Sequence, residues 1–156
     1  MLTDALNKVY RGLRMHFYMQ VMPRFDAREA TLTTVEAFSM EVIYTMHEPT
    51  ISEFSEMLGI SSPNAAVRIN SLIRKGYLDK VQSNEDKRTF HLHPTQKFYE
   101  YNRISDNYLE TIVERCEKRF SREEIETLEK MLNVIDQELM PEIKLDDHLK
   151  RQRSTS

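Results

Sequence analysis

Residues 50–95 read TISEFSEMLGISSPNAAVRINSLIRKGYLDKVQSNEDKRTFHLHPT, and the fold turns on this stretch. Thr50 or Ser52 can accept a hydrogen bond from the unpaired N–H groups that open a helix, with Phe54 and Leu58 facing inward. Gly59 follows where a helix ends in a left-handed residue. Ser61 caps a second helix, and Pro63 falls in its first turn, where a missing N–H costs little. That helix runs to Lys75 and stops at Gly76. The period then changes from helical to alternating. Residues 77–81 and 89–93 read as two short strands, joined by the polar loop Gln82 to Arg88. Two helices joined by a tight glycine turn and followed by a hairpin make a winged helix-turn-helix.

The second helix of this motif has two unlike faces. Ala65, Ile69 and Leu72 share one side and pack towards Phe54, Leu58 and Ile60. The other side holds Pro63, Val67, Asn70 and Arg74, with Asn64 and Ser71 beside it and Arg68 at the flank. This outer face is slim and polar, as a helix entering a groove about 12 Å wide must be. Asn64 can read an adenine edge and Val67 can touch a thymine methyl. A solvated helix face has a similar composition.

Outward from this core the pattern stays helical. Leu2, Leu6, Val9, Leu13, Phe17 and Val21 form one stripe, and Pro23 is expected to end that helix. Thr33 or Thr34 caps the next, with Glu36 in its first turn, and Pro49 closes it. After the hairpin, Pro94-Thr95 opens a long helix carrying Phe98, Tyr101, Tyr108, Ile112, Cys116 and Phe120. Ser121-Arg122-Glu123-Glu124 is a capping box. The helix it starts places Ile125, Leu128, Leu132, Ile135 and Leu139 at spacings of three and four, a coiled-coil-like seam. Pro141 ends it. The fold class is therefore mainly α, with a small β-hairpin wing.

Composition agrees. The chain has 156 residues, 40% hydrophobic and 30% charged, with only 3 Gly and 5 Pro, too little punctuation for an all-β fold. A single Cys excludes an internal disulfide and a CxxC zinc site and fits a reducing cytoplasm. No apolar run is long enough to span a bilayer, so no membrane is expected, and the N-terminus lacks the features of a secretory signal. Net charge is −3, yet residues 61–93 carry six bases against three acids. A compact basic segment inside an acidic chain is compatible with nucleic acid or with an acidic protein partner, although an excess of +3 over 33 residues also arises by chance.

The runs Ile51–Ser61 and Ser71–Leu78, the wing Ser83-Asn84-Glu85-Asp86-Lys87-Arg88 and the following Leu92-His93-Pro94-Thr95 resemble the core of the MarR family (multiple antibiotic resistance regulators). The resemblance implies a cytoplasmic, homodimeric transcriptional regulator, a repressor on a pseudo-palindromic operator of double-stranded DNA, responsive to a small-molecule effector. It implies that residues 1–30 give the N-terminal helix of a dimerisation region and 31–95 the DNA-binding domain. Residues 96–147 give the C-terminal dimerisation helices and 148–156 a polar tail. The DNA contacts expected are Ser61, Ser62, Pro63, Asn64, Val67, Arg68, Asn70, Ser71 and Arg74 from the helix, with Lys87 and Arg88 from the wing. Lys75 joins them for phosphates. Arg88 matches the wing arginine that enters the minor groove, and Asp86 the acid that braces it. Val67 and Ala65-Ala66 depart from the family, which leaves the base contacts open. An effector pocket is implied near His16, Phe17, Met40 and Tyr44.

No catalytic set is present: no GxSxG, no glycine-rich phosphate loop and no HExxH, so an enzyme is not expected. No cofactor or metal is expected either. His91 and His93 lie two apart on one strand face, without further clustered ligands, and read as a polar strand face. His16 and His47 read as satisfied structural histidines, and Cys116 as buried and inert. The alternatives are a winged-helix protein–protein module and a metal- or redox-responsive version of the same regulator.

Overall fold

The computed structural model describes residues 1–26 and 32–143. Its elements are α1 (Leu2–Asp26), α2 (Thr34–Thr45), α3 (Ile51–Leu58), α4 (Ser62–Arg74), β1 (Leu78–Gln82), β2 (Phe90–Pro94), α5 (Gln96–Arg119) and α6 (Arg122–Glu138). The polar tail, 148–156, lies outside the described residues. The chain divides into two units. A winged-helix unit runs from α2 to Asn102. A terminal unit takes in α1 as far as Pro23 and the chain from Arg103 through α6.

In the winged-helix unit α2, α3 and α4 each start where a capping residue can satisfy free N–H groups. Thr33 accepts the Glu36 N–H, and the Glu36 carboxylate accepts the Thr33 N–H, a reciprocal box. Thr50 and Glu53 repeat the arrangement at α3. Ser61 Oγ accepts the Asn64 N–H at 3.4 Å and opens α4, with Pro63 in the first turn. Gly59, at φ +61°, ends α3, and Gly76, at φ +80°, lets the chain leave α4, a region open to glycine without strain. The fully buried core is Met40, Ile43, Phe54, Ala65, Ile69, Leu72, Leu78, Leu92 and Phe98. Burying each large apolar side chain contributes about 1.5–3 kcal/mol.

β1 and β2 pair antiparallel, with Leu78 opposite Pro94 and Gln82 opposite Phe90. Both strands start one residue later than the alternation predicts. The Tyr77 N–H is spent on Leu72 O in the turn after α4, and the Thr89 N–H on Asp86 O in the loop. A bridge between Thr50 and His91, with the Leu92 N–H donating to Pro49 O at 2.9 Å, ties the start of α3 to β2.

In the terminal unit, Pro23 does not end α1, which continues to Asp26. A proline removes one donor and disturbs the turn before it; so close to a helix end the loss is small, and helical geometry persists. Ser121 and Glu124 form the expected capping box. The helices of this unit bury little. Val21 is buried, but Leu2, Leu6 and Val9 on α1 are exposed, and no side chain of α6 is buried. Cys116 is half-buried rather than buried.

Candidate nucleic-acid interface

The apolar stripe Ala65–Ile69–Leu72 is fully buried, which turns the opposite face of α4 outward. Ser61, Ser62, Pro63, Asn64, Asn70 and Arg74 are exposed there, and Val67 is 70% exposed. A β-branched apolar side chain so far in solvent does nothing for the core, and fits a face meant to be covered. Arg68 is half-buried at the flank.

The wing is a loop built by its own side chains. Ser83 Oγ accepts the N–H groups of Glu85 and Asp86 at 3.2 and 3.4 Å. Gln82 Nε2 donates to Lys87 O at 2.5 Å. Asp86 braces the wing differently from the expectation. Its carboxylate accepts the backbone N–H of Arg88 at 2.9 Å and the hydroxyl of Thr89 at 3.1 Å. No ion pair joins the Asp86 and Arg88 side chains among the described residues. Asp86 thus fixes the backbone from which Arg88 projects, and the exposed guanidinium stays available.

Two expected DNA contacts are engaged inside the fold. The Ser71 hydroxyl donates to Glu36 Oε1 at 2.7 Å, and Lys75 Nζ lies 2.6 Å from Glu36 Oε2. Glu36 is 7% exposed. Burial acts to raise its carboxyl pKa, but hydrogen bonds from Lys75, the Thr33 backbone and Ser71 outweigh this and hold it at about 2, against 4.5 ordinarily. The sign follows. A carboxylate held low in the fold contributes stability that is complete above pH 4.5 and lost as pH falls towards 2. Urea unfolding across that window is expected to show a loss of roughly 1–3 kcal/mol that Glu36→Gln removes. Identical acid profiles in the two proteins would contradict the assignment.

The histidine pair faces one residue. His91 Nδ1 lies 2.9 Å from Glu48 O, and His93 Nδ1 lies 3.1 Å from Glu48 Oε1. His47 and Glu48 both adopt positive φ, 52° and 59°, a strained pair of non-glycine residues that nothing in the sequence announced. Among the described residues no group of three or more His, Cys, Asp or Glu is placed to hold a metal.

The effector candidates fall in different units. Met40 is fully buried in the winged-helix core. Tyr44 packs on Phe98 and Tyr99, and lines a cavity of about 200 Å³ with His47, Glu48, Pro94 and Tyr99. In the terminal unit Phe17 is half-buried, and the His16 ring stacks on Tyr108 with centroids 3.5 Å apart. His16 is not the satisfied histidine expected, because its buried Nδ1 has no hydrogen-bond partner among the described residues.

The model of the MarR family matches residues 32–90. Among solved structures the chain is similar to Streptococcus pneumoniae FabT in complex with DNA. That match is 27% identical with a TM-score of 0.60, over 88% of this chain and 94% of that one. It is similar in fold to the transcriptional regulator Tm0710 from Thermotoga maritima, 19% identical, TM-score 0.62, over 88% and 96% of the two chains. It is likewise similar in fold to a MarR family protein from Bacillus stearothermophilus, 15% identical, TM-score 0.61, over 88% and 92%. A search of curated proteins finds no match.

Proposed function

We propose that this chain, whose residues 32–90 match the MarR family model and whose fold is similar to that of a protein crystallised with DNA, is a DNA-binding transcriptional regulator rather than an enzyme, and that it represses transcription as a cytoplasmic homodimer on a pseudo-palindromic operator. No helix among the described residues is long and apolar enough to cross a membrane. The observation that carries the reading is the pairing, on one unit, of an outward α4 face without bulky side chains and a wing whose loop is bonded so as to project Arg88. Asn64, Asn70 and Val67 meet base edges. Ser61, Ser62, Pro63, Arg68, Arg74 and Lys87 line the path of the phosphates, and Arg88 enters the minor groove, whose negative potential attracts a guanidinium. The likeness to a protein crystallised on DNA supports this assignment.

The terminal unit supplies the dimer. Its exposed apolar stripes on α1 and α6 are what a subunit interface leaves bare in a single chain. A small-molecule effector acts by favouring a dimer whose two α4 helices no longer match successive grooves, which lie about 34–36 Å apart. The unpartnered Nδ1 of His16 supports a place for such a ligand beside the His16–Tyr108 stack.

Selection of bound duplexes from a random library tests the reading. A recovered palindrome, bound with an affinity that falls steeply with salt, is the expected result. Recovery of no sequence at low ionic strength would overturn it.

A further inference from the structure

Glu36 is the one buried acid among the described residues, and two of its partners lie far along the chain. At the first turn of α2 its Oε2 accepts the Thr33 N–H at 2.7 Å and faces Lys75 Nζ at 2.6 Å, while Oε1 accepts the Ser71 hydroxyl at 2.7 Å. Ser71 stands in the last turn of α4, and Lys75 is its C-terminal cap. The same end is held from α5. Lys97 Nζ donates to Lys75 O at 2.9 Å and lies 4.3 Å from the centre of the Tyr77 ring. Thr95 Oγ1 donates to Gly76 O at 2.6 Å.

Resting on the DNA-binding reading, we propose that Glu36 is a positioning residue for sequence recognition. It draws Ser71 and Lys75 out of the set of DNA contacts and uses them to fix the orientation of α4. The core face of α4 cannot do this alone. Ala65, Ile69 and Leu72 make apolar contacts, which are not directional and tolerate a small roll of the helix. Hydrogen bonds of fixed length to a buried carboxylate do not tolerate it. Base-edge contacts need the same precision, whereas lysine and arginine reach phosphates over a range of helix orientations. Losing the tie therefore harms discrimination more than general affinity for DNA.

Fluorescence anisotropy with the selected palindrome and with a shuffled duplex, over a salt series, tests the proposal on the dimer of the 156-residue chain. Lys75→Gln and Glu36→Gln are expected to lower the ratio of selected to shuffled affinity about tenfold, with shuffled affinity within twofold of wild type. Lys75→Gln leaves the salt slope unchanged, and Lys75→Arg, which still donates to Glu36, keeps the ratio. If Glu36→Gln folds poorly, the two Lys75 variants decide. A Lys75→Gln protein that loses affinity for both duplexes together, with a slope shallower by about 0.9 per protomer, would show Lys75 on a phosphate and overturn the proposal. An unchanged ratio would do the same. If the wild-type chain selects no duplex, the DNA-binding reading has failed first and takes the proposal with it.

Discussion

Replacing Arg88 by alanine is expected to weaken operator binding at about 0.15 M salt by about thirtyfold or more while leaving the proposed dimer and its melting temperature unchanged. The wing is held without the guanidinium. Asp86 bonds the Arg88 backbone and the Thr89 hydroxyl, and Gln82 bonds Lys87 O, so the loop keeps its shape in the variant. On the proposed reading, what is lost is one specific contact per protomer. Such contacts are worth about 1–3 kcal/mol each, so two per dimer weaken binding roughly thirtyfold or more. Lys87→Ala separates the two kinds of contact. It is expected to weaken binding evenly across sequences and to reduce the salt slope by about one per protomer. An Arg88→Ala protein that binds the selected duplex within threefold of wild type would remove the wing from the interface.

The second large effect concerns the terminal unit. Leu128→Asp combined with Leu132→Asp is expected to convert the proposed dimer to a monomer at micromolar concentration and to eliminate operator binding. The winged-helix unit is expected to keep its secondary structure. The seam on α6 has the spacing of a helix that packs on another, yet none of its side chains is buried in the single chain. Leu132 is 53% exposed and Leu139 65% exposed. Each leucine covered by a partner contributes about 1.5–3 kcal/mol, and a carboxylate in its place adds an unpaired buried charge. Sedimentation of the variant gives the answer directly. A double variant that remains dimeric would place the interface elsewhere.

Helix starts were the most legible part of this chain. Thr33, Thr50, Ser61 and Ser121 each stand where a cap satisfies free N–H groups, and three of them carry an acid three residues on. That signal is local, so it survives into the fold. The buried stripe Ala65–Ile69–Leu72 was legible for the same reason, because helical spacing alone sorts the faces of α4. Strand edges were not, because the register depends on where the Tyr77 and Thr89 N–H groups go, and both are taken by turns.

Ser71 and Lys75 lay on or near the outward face by angle, and Lys75 was basic, so both looked available to DNA. What engages them is Glu36, 35 and 39 residues earlier in the chain, a contact no window of sequence contains. Asp86 is an intermediate case. Its spacing from Arg88 marked it as a brace, but spacing does not say whether a carboxylate meets a side chain or a backbone N–H. The positive φ values at His47 and Glu48 left no trace in composition, since neither residue is one that favours that region.

Hydroxyl-radical footprinting of the protein on its selected duplex is the most direct measurement. Two protected half-sites with centres about 10 base pairs apart, flanked by protection of the minor groove that Arg88→Ala removes, are the predicted pattern. A single protected half-site, or protection spread evenly along the duplex, would contradict a dimer that sets two α4 helices into successive grooves.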